Sequence, residues 1–120
     1  MVRAYRRKGP SESAVKSRAR SLVSNRSLAK VTEGDEEFQL GNGPRFDPTD
    51  HVPEFREAGV SAVYVSPDPS VEHYADSLVF VVPRGKQARV LKKLLYENWG
   101  PDDFDDSKMG DYFLYRLWWD

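Results

Sequence analysis

The sequence predicts an α+β fold: a ferredoxin-like βαββαβ sandwich, or a related sheet with helices on one face, preceded by a basic N-terminal arm and helix. Three observations carry this reading. Leu78-Val79-Phe80-Val81-Val82 is the longest unbroken apolar run in the chain and reads as a buried strand. Pro83-Arg84-Gly85 breaks it, and an amphipathic helix pattern begins at once over 86–98. Beyond the arm, the order of elements reads strand, helix, strand, strand, helix, strand.

Taken in order, Val2 to Pro10 is a basic leader, and Gly9-Pro10 separates it from the first helix. Ser11 or Ser13 is a suitable N-cap for that helix, which runs to about Lys30. On it Val15, Ala19, Leu22, Val23 and Ala29 share one thin apolar stripe, with Arg26 intruding. A stripe this thin predicts light docking, on the chain's own body or on a partner. Residues 1–33 therefore read as arm and helix, and 34–120 as one globular domain. Phe38-Gln39-Leu40 begins a short strand, closed by the turn residues Gly41-Asn42-Gly43-Pro44, and Arg45 to Thr49 reads as loop. Thr49 or Asp50 can cap a short helix with Pro53 in its first turn, ended by Gly59 in a left-handed conformation. Val60 to Ser66 is a strand, and Pro67-Asp68-Pro69 ends it. In the helix after the central strand, Ala88, Leu91, Leu94, Leu95 and Trp99 gather on one side. Lys86, Arg89, Lys93 and Tyr96 gather on the other, with Lys92 beside them, and Gly100-Pro101 stops the helix. An acidic loop, Asp102 to Asp106, leads to a closing aromatic strand within Asp111 to Trp119.

The totals set bounds. A chain of 120 residues is one domain's worth and can bury a core without staples. The absence of cysteine removes disulfides, thiolate metal sites and cysteine nucleophiles. No apolar run approaches the roughly 20 residues of a membrane span. The Arg-rich start has no apolar segment behind it and does not read as a secretory signal. The net charge of −1 conceals a split. Arg3, Arg6, Arg7, Lys8, Lys16, Arg18, Arg20, Arg26 and Lys30 lie in the first 30 residues against Glu12 alone.

Chemical motifs are few. Arg84-Gly85-Lys86 between strand and helix suits a loose anion contact, but the phosphate-loop pattern is missing, since Gln87 stands where a Ser or Thr is needed. Asp102, Asp103, Asp105, Asp106 and Asp111 lack calcium-loop spacing, with Phe104 among them. His51 and His73 belong to no metal or triad pattern. The closing strand alternates Phe113, Tyr115, Leu117, Trp119 against Tyr112, Leu114, Arg116, Trp118, so both faces are largely apolar. Either the strand is sandwiched between two covered faces, or one face meets a partner.

These features predict a non-enzymatic assembly protein working inside a larger complex, such as a small structural subunit of a virus particle. No catalytic residue, metal or cofactor is assigned. The expected binding residues for nucleic acid or a partner are Arg3, Arg6, Arg7, Lys8, Lys16, Arg18, Arg20, Arg26, Lys86, Arg89 and Lys93. The expected protein interface is Tyr112, Leu114, Arg116 and Trp118. The expected partners are other protein subunits, of the same or a different chain, and DNA or RNA, with oligomerisation, no membrane, and a cytoplasmic or virion location. The alternative is a small nucleic-acid-binding protein without sequence preference. The third reading is an enzyme whose site has no recognised motif.

Overall fold

The computed structural model describes residues 11–120, so the leader with Arg3, Arg6, Arg7 and Lys8 lies outside the described residues. The described residues form α1 (Glu12–Leu22), β1 (Ala29–Lys30), β2 (Phe38–Leu40), β3 (Arg45–Phe46), α2 (Pro48–Glu57), β4 (Ala62–Pro67), β5 (Tyr74–Pro83), α3 (Lys86–Trp99), β6 (Asp103–Met109) and β7 (Tyr112–Trp118). The chain is thus α+β, with a mostly antiparallel open sheet and three helices among these residues. No helix among them is long and apolar enough to cross a membrane.

β5 is the axis of the sheet. One of its edges pairs antiparallel with β4, from Ala75 to Val81. Its other edge pairs antiparallel with β7, from Ser77 to Pro83, and takes β2 in parallel at Tyr74 and Ala75. β6 pairs antiparallel with β7, which leaves β6 parallel to β5 with β7 between them. The expected ferredoxin-like sandwich is not reproduced by this pairing. In that fold the first strand would be a full central member, antiparallel to its neighbours. Here β2 is three residues long and touches β5 in parallel over one dipeptide, because the glycine turn after it folds the chain straight back into β3.

The two sheet faces are covered by different helices. Phe55 of α2 and Ala88, Leu91 and Leu95 of α3 pack on one face with Leu78, Phe80, Val82, Tyr115 and Leu117. Val15, Ala19 and Val23, at helical spacing, pack on the other with Tyr64, Val79, Val81 and Leu114. The sheet is therefore sandwiched, which explains why β5 reads as a continuous apolar run and why β7 is apolar on both faces.

Four local differences from the sequence reading have physical causes. α1 stops at Leu22, well short of Lys30, because Ser24 and Asn25 turn left-handed and the Asn25 amide bonds back to the Arg20 carbonyl at 2.7 Å. α2 begins earlier than expected, capped by the Asp47 carboxylate with Pro48 at its first position, so Pro53 falls inside the helix. Residues 45 and 46, read as loop, form β3. The acidic loop is part of strand β6, because Asp103 to Met109 pair antiparallel with β7. Leu94 is also corrected: it is 44% exposed, while Ala88, Leu91 and Leu95 form the buried stripe.

Candidate functional site

The features that combine cations with accessible rings lie along α3, where it runs beside β6 and β7. Gly85, with φ of 146°, starts this helix at the end of β5. The three-to-four residue repeat then sends Leu91 and Leu95 to the sheet and Lys86, Arg89, Lys93 and Tyr96 outward. Two adjoining open depressions result. One, of about 630 Å3, lies between Arg89, Lys92, Lys93 and Tyr96 on the helix and Phe104, Asp105 and Asp106 on the strand. The other, of about 830 Å3, continues it past Arg84, Lys86, Phe113 and Tyr115.

Their floor is a row of rings. Phe113 stacks on Tyr115 at 5.8 Å between centroids, Tyr115 meets Phe104 at 5.6 Å, and Phe104 meets Tyr96 edge-on at 6.2 Å. Cations stand over two of them: Arg84 over Phe113 and Lys92 over Phe104, each at 5.8 Å. Tyr115 is anchored, since its hydroxyl donates to the Ala88 carbonyl at 3.2 Å. Burial, and secondarily the Asp106 charge, pushes its phenol above the usual range.

The acids at the rim are already engaged. Asp106 pairs with Lys92 at 2.6 Å, and Asp105 with Arg116 at 2.6 Å. By contrast, the side chains of Lys86, Arg89 and Lys93 have no ion-pair or hydrogen-bond partner among the described residues. Three uncompensated cations beside a ring ladder can hold an anion that also carries flat apolar groups.

The remaining residues expected to bind are dispersed. Lys16, Arg18 and Arg20 are exposed on α1, on the opposite side of the sheet. Arg18 donates to Ser107 at 2.9 Å and Arg20 to the Asn25 carbonyl at 3.2 Å. Arg26 reaches Asp76 at 3.0 Å and Ser77 at 3.2 Å. Burial works to raise the Asp76 carboxyl, but its bonds from Arg26, Ser77 and Trp118 prevail and hold it below the usual range.

Of the expected interface residues, Leu114 is fully buried beneath α1, so its apolar face is met within the chain. Arg116 is fixed by Asp103 and Asp105, both at 2.6 Å. Tyr112 and Trp118 are half-buried. His51 serves the fold: its Nδ1 accepts the Asp47 amide at 2.8 Å and its ring meets Trp99 edge-on at 4.9 Å. Among the described residues no group of three or more histidines and acids is placed to hold a metal ion.

The sequence reading found Lys86, Arg89, Lys93 and Tyr96 as one face, and the structure keeps them together. It also set Lys92 beside them and Arg84 next to Lys86, and it missed Phe104 and Phe113 as their neighbours. The available signal was the period-two alternation that puts Phe104 on the same sheet face as Tyr115 and Leu117. Compared with known proteins, the chain matches no family model, no curated protein and no solved structure.

Proposed function

We propose that this chain is a non-enzymatic structural subunit of a larger assembly, of the kind found in virus particles, and that copies of it contact one another head to tail. The observation that carries the reading is an apolar pair on the outer face of α3. Val90 is 59% exposed and Leu94 44%, one helical turn apart, with the unpaired Lys86, Arg89 and Lys93 around them. A complementary surface lies elsewhere on the same chain. Val71, 51% exposed, sits with Glu36, Asp68 and Glu72 around a depression of about 360 Å3. A basic apolar ridge and an acidic apolar patch on one chain form a heterologous contact, which builds rings or filaments rather than closed pairs. The leader residues Arg3, Arg6, Arg7 and Lys8 add cations for neighbouring subunits.

Mass measured by light scattering across a concentration series tests this. The wild-type chain exceeds its monomer mass of 13.8 kDa as concentration rises. The double variant Val90→Gln/Leu94→Gln, which keeps every charge, stays monomeric with an unchanged melting temperature. A wild-type chain that remains monomeric at every concentration removes the reading.

A further inference from the structure

We propose that the groove between α3 and the β6–β7 ribbon binds single-stranded nucleic acid, with bases laid against its rings and phosphates held by α3. This site shares Lys86, Arg89 and Lys93 with the face proposed for contacts between copies, but its rings lie apart from Val90 and Leu94. Phe113, Phe104 and Tyr96 are linked through the buried Tyr115, 2% exposed, in a row with centroid steps of 5.6–6.2 Å, and these three are the rings a base can reach. Phe104 and Phe113 are half-buried and Tyr96 is 61% exposed, so flat groups can reach the row from solvent. Stacking on such rings requires unpaired bases, whose faces a duplex hides. An acidic peptide would use the cations but leave the rings without partners.

The charges favour a polyanion despite the acids on the rim. Lys92 pairs with Asp106, Arg116 is shared between Asp103 and Asp105, and Asp111, which also lines the groove, is engaged as well. Lys86, Arg89 and Lys93, spaced three and four residues apart, are three cations along one helix face without a partner among the described residues. Three phosphate contacts on a single strand give a slope of log affinity against log salt of about −2. Stacking on one ring contributes roughly 1–3 kcal/mol, so removing it weakens binding roughly 5- to 150-fold.

The test is fluorescence anisotropy with a labelled oligothymidylate on the full chain, at several salt concentrations. Wild type binds with a slope of about −2. The double variant Arg89→Ala/Lys93→Ala lowers the magnitude of the slope by about 1–2. Tyr96→Ala, at an exposed position, lowers affinity with the slope unchanged. Val90→Gln/Leu94→Gln leaves oligonucleotide binding intact, which separates this site from contacts between copies. Circular dichroism melts confirm that each variant is folded. Three results overturn the proposal: no binding at low salt, binding indifferent to both groove variants, or equal affinity for the oligonucleotide, its duplex and polyglutamate, which marks a generic cationic surface.

Discussion

Leu91 and Leu94 are the same residue type in the same helix, and their surroundings separate them. Leu91 is 3% exposed and packs with Ala88, Leu95 and Phe80 in the larger core, whereas Leu94 is 44% exposed. A step of about 100° per residue puts Leu94 off the buried stripe, where it lines only a shallow recess with Glu54, Ala58 and Asn98. Leu91→Ala leaves a cavity and costs about 2–5 kcal/mol. Leu94→Ala costs less than about 1 kcal/mol, because water already reaches the site. Urea denaturation of both variants checks this difference, and equal losses would mean that the helix is rotated from the orientation described. The same side-chain logic places the cations: Lys86, Arg89 and Lys93 are exposed on α3, away from Leu91 and Leu95, with no ion-pair partner among the described residues.

At the scale of elements, the stretch after α1 is tied to β5 by Arg26 and Asp76. In the sequence Arg26 reads as a charge intruding on an apolar stripe. In the fold it is a clamp: its guanidinium meets the Asp76 carboxylate at 3.0 Å and the Ser77 hydroxyl at 3.2 Å. The Asp76 carboxyl is held below its usual range despite burial, so the folded state binds its proton more weakly than the unfolded chain. Its stabilisation is therefore complete above the unfolded value of about 3.9 and is lost as pH falls through the lower folded value. Thermal melts of wild type fall in that acid window, and in Asp76→Asn this part of the fall disappears. Equal acid sensitivity in the two proteins would show that the clamp contributes nothing. The same elements differ in how legible they are in the sequence. β5 and α3 are legible, because a five-residue apolar run and a helical repeat are local patterns. β3 and β6 are not, since two residues carry no period and the charges of β6 resemble those of a loop. Only pairing with β7 makes that segment a strand. The cationic half of the groove comes from helix spacing, while its aromatic half depends on which strand lies beside α3, a long-range fact.

For the whole molecule, the decisive feature is that a helix lies on each side of the sheet. The basic segment divides accordingly: α1 is a structural layer and the leader before it lies beyond the described residues. α1 has a thin stripe, yet Ala19 is fully buried and Val15 and Val23 are nearly so, because small and branched side chains let the helix approach Tyr64, Val79 and Leu114 closely. Burial of Tyr64 in this layer, with the Glu12 charge as a lesser influence, raises its phenol. If α1 were instead a free arm, the face formed by Tyr64, Val79, Val81 and Leu114 would be an apolar surface open to a partner. Ala19→Asp separates these alternatives, since Ala19 is fully buried against the apolar residues of this layer. In the packed layer the new carboxylate is an uncompensated buried charge and costs about 3–5 kcal/mol. The expected signature is a lower melting temperature together with binding of a hydrophobic dye at the uncovered face. Oligothymidylate binding by the groove persists where the sheet survives, because α3 lies on the opposite side. An unchanged melting temperature, with dye bound equally by wild type and variant, would mean that α1 does not rest on the sheet, and the apolar face of β7 would then return as a contact surface.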